Sequence, residues 1–352
     1  MTNAVTYRTS PDESMNQLED FRDIFAAITP WAGEVPLGFS VDFQGTLTDV
    51  TFRQNWRGDP RSIGGRRIET VLPSLDNRAT RVSFDTVDWT GERWFEAVNW
   101  YVAAREAYGR FIMITLGAWH GSQALGSYRA LQRLNPVPCR LVAVEPMTES
   151  MDLIRRHFRN NGIDPGDHWL IPMVISGNND PVFFAMGTRR MGPQNCFSTN
   201  ERAARELYYK QLVEAGRADQ ALRDLLLRNS TGIAITRRNE AVDEIFEAEI
   251  KYVSAVTLSD VLGPFDLVDY LESDIQESEI LVFPPFMGLL KRKVRRVHIG
   301  THGMAVHRTL HDMFSREGWQ VVFSYEPESV HETVLGTFRT QDGVLTLRNP
   351  GL

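Results

Sequence analysis

Three groups of residues in this 352-residue chain have types and spacing suited to chemistry. The first begins with Phe111-Ile112-Met113-Ile114-Thr115-Leu116-Gly117-Ala118-Trp119-His120-Gly121, an apolar run that ends in glycines. A helix-like segment follows, and then Leu141-Val142-Ala143-Val144-Glu145-Pro146, a second apolar run that stops on one acidic residue. Strand, glycine turn, helix, strand and carboxylate in this order make the layout of a nucleotide-binding α/β half. Such glycines let the backbone approach a ligand closely, and a carboxylate at Glu145 suits the two hydroxyls of a ribose. The same glycines would also serve an ordinary strand-to-helix turn that needs positive φ.

The second group is Val268-Asp269-Tyr270-Leu271-Glu272-Ser273-Asp274-Ile275-Gln276-Glu277-Ser278-Glu279, a buried strand ending on an acid with a helix opening after it. Asp274 can cap that helix, or place its carboxylate beside a reacting group; the two roles are compatible. The third is Val297-His298-Ile299-Gly300-Thr301-His302-Gly303. Strand alternation puts His298 and Thr301 on different faces, and the glycines free His302 at the strand's end. A histidine there suits a general base for a hydroxyl proton, and equally a neutral ring satisfied by a backbone carbonyl. Asp274, His298 and His302 together have the chemistry of a divalent-metal set, but their spacing is not diagnostic and no metal is expected.

The glycine spacing selects the ligand. A dinucleotide fingerprint needs G-x-G-x-x-G so that a pyrophosphate can settle on the helix N-terminus. Here the glycines are Gly117, Gly121 and Gly126, with Trp119 and His120 crowding the turn and no Lys-Ser/Thr pair after Gly121. A ligand with ribose and adenine but no phosphate fits better, which points to S-adenosylmethionine.

Elsewhere the elements read as follows. Asp12 to Ile28 has helical periodicity through Met15, Leu18, Phe21, Ile24 and Phe25. Gly38 to Phe43 alternates like a strand, and Arg53 to Arg67 reads as loop. Trp89 to Tyr108 is a helix with an apolar face of Trp94, Ala97, Val98, Tyr101 and Ala104. From Phe111 an α/β series runs through a helix at Gln123–Leu134, a helix at Met147–Asn160 and a third strand at Trp169–Ile175. Residues 188–255 interrupt it with a charged insertion, helical over Asn200 to Leu227, of the kind that emerges on one face as a lid. The series resumes with strands at Phe265–Ser273 and Val294–Thr301 and a helix at His307–Ser315. Gln320–Tyr325 and Val344–Arg348 are expected to pair as a hairpin at the sheet edge.

Composition narrows the class. A formal net charge of −7 argues against an electrostatic nucleic-acid binder, and Lys291-Arg292-Lys293 with Arg295 and Arg296 reads as a solvated helix end leading into a strand. Two cysteines, Cys139 and Cys196, are too few for a disulfide framework. With neither a signal-peptide pattern nor an apolar run of transmembrane length, a cytoplasmic protein without a membrane partner is expected.

The ordered set Leu116-Gly117-Ala118 through Gly121, Val144-Glu145-Pro146, Asn160-Asn161-Gly162, Val256-Thr257-Leu258-Ser259-Asp260, Asp274 through Glu279 and His298 through His302 resembles the FkbM-type methyltransferases. The resemblance runs from roughly Trp94 to Trp319. It implies a class I methyltransferase (Rossmann-like) doubly wound sheet, S-adenosylmethionine as cofactor, and O-methylation of a small molecule or a sugar. The chain departs from that pattern twice. The family commonly has an acidic residue just before the glycine turn, where this chain has Thr115-Leu116. It also tends to have Gly-Ala-Glu where this chain has Glu277-Ser278-Glu279.

The resulting expectation divides the chain into an accessory, cap or oligomerisation region at 1–95 and a methyltransferase domain at 96–352. Ligands in open α/β sheets bind outside the carboxyl ends of the strands. Gly117, Ala118, Trp119 and Gly121 would then cradle the cofactor, Glu145 and Pro146 its ribose, and Ser176 its adenine. Asp274 would lie near the transferring methyl, His302 would be the base, and Gln276, His298 and Thr301 would face the acceptor. Homo-oligomerisation is compatible with this reading. Two rivals are an NAD-dependent oxidoreductase, disfavoured by the glycine spacing, and a binding protein that kept the fold without the chemistry.

Overall fold

The computed structural model describes residues 18, 20–52, 59–76, 85–87, 91–187, 196–198, 233–239 and 242–352. Its centre is a seven-stranded sheet. In chain order the strands are β1 (Phe111–Leu116), β2 (Cys139–Val144), β3 (Trp169–Ile171), β4 (Tyr270–Ser273), β5 (Arg296–Thr301), β6 (Gln320–Tyr325) and β7 (Gly343–Arg348). In space they run β3-β2-β1-β4-β5-β7-β6. The neighbours β3 through β5 pair in parallel, and β7 runs antiparallel to both β5 and β6. The order reverses between β1 and β4, the crevice where such sheets take their ligands. This is the α/β arrangement of the class I methyltransferases.

β1 is buried along its whole length, as a central parallel strand covered on both faces must be. One face carries α1 (Glu92–Glu106), α2 (Ser122–Leu134) and α3 (Thr148–Asn160). The other carries α4 (Leu258–Leu262), α5 (Glu279–Val282), α6 (Met287–Lys293) and α7 (Met304–Arg316). Each face closes over its own apolar core. The first includes Trp94, Tyr101, Met113, Leu131 and Phe158; the second includes Ile114, Leu271, Phe283, Leu310 and Phe314. Each such side chain contributes about 1.5–3 kcal/mol on full burial.

α1 is enclosed on more sides than its sequence stripe suggests. Phe95 meets Phe323, Tyr325 and Phe338 at ring-centroid distances of 5.0, 5.1 and 5.2 Å, while Tyr101 packs on Phe25 and Phe43 from the amino-terminal region. That region joins the same core through Leu18, Phe25, Ile28, Phe43 and Leu75. Leu18, Phe21, Ile24 and Phe25 pack inward as the periodicity requires, but the backbone over residues 20–27 is a series of tight turns rather than a helix, and residues 12–17 and 19 of the expected helix lie outside the described residues. Ile24 N–H donates to the Phe21 carbonyl and Ile28 N–H to that of Phe25, three residues back in each case.

Gln320–Tyr325 and Val344–Arg348 pair antiparallel at the sheet edge as expected, and three other expectations are corrected. β7 enters between β5 and β6, and a second hairpin of Val330–Thr333 with Gly336–Arg339 fills the connection. The reason is burial: Val344, Leu345 and Leu347 are 0–1% exposed on both faces, which only an interior strand allows. The third strand breaks at Pro172, which has no N–H for the ladder. Val174–Ile175 leaves to pair in parallel with Ala255–Val256. The fourth strand is shorter than read, because Asp269 turns inward to accept from Ile112 N–H at 2.8 Å and from Arg295 at 2.8 Å. Within 188–255 the described residues are mostly strands: Cys196–Ser198, Ile233–Asn239 and Val242–Val253 join Val182–Gly187, which precedes the insertion, in a four-stranded sheet. The helix expected over Asn200 to Leu227 lies outside the described residues.

Candidate active site

The carboxyl ends of β1, β2, β4 and β5 converge on one edge, and Gly117 to Gly121, Glu145, Pro146, Asp274, Gln276 and His302 follow them there. After β1 the chain turns at Gly117 with φ of 78°. A Cβ at this position would lie 2.0 Å from the Asp274 carbonyl oxygen, so only glycine lets the β1 exit pass the β4 exit. Trp119 follows with φ of 44°, and Gly121, at 81°, starts α2. A tryptophan held in left-handed conformation is strained. The strain is stabilised from β2: Glu145 Oε2 accepts Trp119 N–H at 2.9 Å and Oε1 accepts Met147 N–H at 3.0 Å. Glu145 is 6% exposed. Burial pushes its pKa up to about 7, and the charge of Asp274 adds to this against the pull of the two backbone donors.

After β4, Gln276 and Glu277 both take positive φ, at 57° and 67°. The loop is pinned by Glu279, whose Oε1 accepts Ile275 N–H at 3.0 Å. It does not cap a helix through Asp274. That carboxylate instead accepts from Gln276 Nε2 at 3.1 Å and lies 3.2 Å from His302 Nε2. Gln276 Nε2 is 2.7 Å from the same ring nitrogen. His302 Nε2 therefore has a partner in either protonation state. Neutral, it accepts from Gln276; protonated, it donates to Asp274. Burial acts to lower the His302 pKa, but Asp274, Asp342, Glu279 and Glu277 outweigh it and leave the ring above the usual imidazole value.

His298 and Thr301 are buried, at 4% and 0% exposed. His298 Nδ1 lies 2.9 Å from Thr346 Oγ1 and 3.2 Å from Asn99 Nδ2, and burial holds the ring down at about 3, neutral at physiological pH. Thr301 Oγ1 is 2.9 Å from His307 Nδ1. Each side chain is instead held by partners inside the protein, His298 by Thr346 and Asn99 and Thr301 by His307. Among the described residues no group of three or more His, Cys, Asp or Glu is arranged to hold a metal ion. Ser176 is buried at the end of the short strand that left the main sheet, its N–H on the Val256 carbonyl at 2.8 Å. Pro146 is half-buried beside Glu145. The basic cluster is structural: Lys293 Nζ closes on the carbonyls of Leu262, Gly263 and Phe265, and Arg295 pairs with Asp269.

Several acids at this edge escaped sequence reasoning. Glu272 is 3% exposed and opposite Thr115 in register, and its Oε2 accepts Thr115 Oγ1–H at 2.5 Å. Burial and then Asp274 drive its pKa well above the ordinary carboxyl value, which favours the protonated acid. Glu92 and Glu96 stand one turn apart on α1. Burial lifts Glu92 to about 7 and also raises Glu96. Asp342, just before β7, lies 3.7 Å from His302 Nε2 and is likewise raised by burial. The i, i+4 spacing of Glu92 and Glu96 was visible, but which face of α1 meets the sheet edge was not. An edge so rich in carboxyls around one imidazole suits a cationic ligand over an anionic one.

No protein-family model matches the chain, and no curated protein matches its sequence. Solved structures are similar at low identity. Precorrin-6y C5,15-methyltransferase from Geobacter metallireducens GS-15 is 8% identical with a TM-score of 0.36, over 78% of this chain and 97% of that one. The methyltransferase FkbM from Methylobacillus flagellatus KT is 10% identical with a TM-score of 0.34, over 69% of this chain and 45% of that one. A precorrin 8w decarboxylase from Methanobacterium thermoautotrophicum is 8% identical with a TM-score of 0.36, over 79% of this chain and 99% of that one.

Proposed function

We propose that this chain is an S-adenosylmethionine-dependent methyltransferase that acts on a hydroxyl of a small molecule or a sugar. The observation that carries the reading is the coupling of Glu145 to the glycine turn. Each of its oxygens accepts one backbone N–H, which leaves each a second lone pair for a ribose hydroxyl. The residues present fit such a cofactor. Gly117 to Gly121 give a close backbone approach, Glu145 and Pro146 face the ribose, Ser176 lies toward the adenine, and buried acids suit a sulfonium. Bound there, the cofactor supplies an electrophilic methyl group on a positively charged sulfur.

Methyl transfer is a displacement in line, so the protein's work is alignment and proton removal. His302 takes the acceptor's hydroxyl proton on Nε2, Asp274 stabilises the imidazolium, and Gln276 holds the neutral ring before transfer. The FkbM-type pattern supports the hydroxyl acceptor, and the Thr115–Glu272 pair supports the pattern. The carboxyl that the family has just before the glycine turn stands here on the neighbouring strand. In the same reading residues 1–95 are an accessory region, and 188–255 shapes the acceptor pocket. The amino-terminal region reaches the glycine turn through His157, whose ring bonds Thr48 Oγ1 at 3.2 Å and the His120 carbonyl at 2.9 Å.

Titration calorimetry with S-adenosylhomocysteine and with NAD tests the assignment. Binding of the first and not the second is expected; the reverse would make the chain an oxidoreductase. Release of S-adenosylhomocysteine in the presence of acceptors separates an enzyme from a binding protein.

A further inference from the structure

The motif Asn160-Asn161-Gly162 has no part in the chemistry above, yet Asn161 is buried just after α3. Its amide takes both backbone groups of Leu47. Oδ1 accepts the Leu47 N–H at 2.9 Å, and Nδ2 donates to the Leu47 carbonyl at 2.8 Å. Leu47–Asp49 pairs with Phe39–Val41 as a hairpin of the amino-terminal region. Within α3, Arg156 binds Asp49 at 3.0 Å, and its guanidinium lies 4.5 Å from the centre of the Phe52 ring. The hairpin is thus docked on α3 at several points.

His157 stands between this hairpin and the glycine turn, and is 1% exposed. Its Nδ1 lies 2.9 Å from the His120 carbonyl oxygen, so Nδ1 carries the proton and donates. Nε2 is then the acceptor for the Thr48 hydroxyl at 3.2 Å. Burial holds the His157 pKa down at about 4, so the ring is neutral at physiological pH and its two partners select one tautomer. The Phe52 ring packs on both imidazoles, at 5.4 Å from His157 and 6.0 Å from His120. The turn is therefore held at two consecutive residues from two elements. Glu145 takes the Trp119 N–H and His157 the His120 carbonyl, where Trp119 has a φ of 44°. A backbone in that region persists only where its surroundings fix it.

We infer that His157 is a positioning residue of the cofactor site, and that the amino-terminal hairpin sets cofactor affinity through Thr48 and this ring. His157 acts through the His120 carbonyl: it keeps the Gly117–Gly121 backbone in the shape that a ligand meets. The hairpin is then a working part of the site, although it lies far from it in sequence. This rests on the methyltransferase reading.

The test titrates the full chain with S-adenosylhomocysteine by calorimetry and follows urea unfolding of each variant. His157→Phe keeps a ring beside Phe52 and His120 but loses the donor, and should weaken Kd at least fivefold. His157→Asn places an amide N–H where Nδ1–H stands, and should return Kd to within twofold of wild type. Thr48→Val removes only the hydroxyl, and should weaken Kd at least threefold. Phe314→Leu, in the core on the other face of the sheet, should lose stability with Kd unchanged. A Kd within twofold of wild type in His157→Phe overturns the inference. So does an Asn variant as weak as the Phe variant, or a Phe314→Leu variant that loses affinity equally. Should His157→Phe fail to fold, Thr48→Val decides, and an unchanged Kd there overturns the inference. Wild-type protein that does not bind S-adenosylhomocysteine defeats the methyltransferase reading instead.

Discussion

Replacing Glu145 by Gln probes the proposed cofactor site with the least change of shape. In the native protein both carboxylate oxygens are already engaged, on Trp119 N–H at 2.9 Å and Met147 N–H at 3.0 Å. An amide keeps one acceptor and turns the other oxygen into a donor that faces a donor. One ribose hydroxyl therefore loses a charge-assisted bond, worth about 1.5–3 kcal/mol. That corresponds to a roughly 10- to 150-fold weaker Kd for S-adenosylhomocysteine. One backbone N–H is also left without its acceptor in a buried place, at a cost of about 1–3 kcal/mol in stability. Trp119, at φ of 44°, is the residue that relaxes if its N–H is the one released. Calorimetry gives the affinity and urea denaturation the stability. A Kd within threefold of wild type, in a variant that shows the stability loss, would place the ribose elsewhere and refute the assignment.

His302→Ala should lower turnover by about 10²–10⁴-fold with S-adenosylhomocysteine affinity nearly constant. The wild-type rate should rise with pH through a midpoint above the ordinary histidine value of about 6.5, because the surrounding acids hold the proton; a midpoint at or below it would remove His302 as the base. Glu272→Gln should keep wild-type stability at pH 7, since Oε1 of the amide still accepts from Thr115, whereas Glu272→Ala should lose about 2–4 kcal/mol. Equal losses in the two variants, read by urea unfolding, would mean that Glu272 is charged. Glu279, with its folded pKa raised from 4.5 to about 7, contributes stability that is full below 4.5 and lost as pH rises through 7. Glu279→Gln should therefore gain on wild type in Tm across that window, and a difference independent of pH would show that Glu279 does not titrate there.

What the sequence determined by itself was local. The apolar runs at Phe111–Leu116 and Cys139–Val144, the glycines between them and the acids that end β2 and β4 are each legible from neighbouring residues. Strand period and glycine chemistry need no distant partner. His302 and Asp274 were likewise placed by the rule that strand ends face the site, and the tertiary structure brings them within 3.2 Å. Tertiary structure decided everything that depends on which surfaces meet. His298 and His302 look alike in the sequence, but the first is taken by Thr346 across the β5–β7 pair and by Asn99 from α1. β7 lies between β5 and β6 with Val344 in one core and Leu345 and Leu347 in the other, so its place depends on both layers of helices and on the assembled sheet. Glu272 looked like a polar residue in a strand, and only the register with β1 places it opposite Thr115. Asp342 and Glu92 stand 250 residues apart and join through one side-chain-to-backbone bond. No periodicity records such a pair, because its geometry is created by packing α1 against the start of β7.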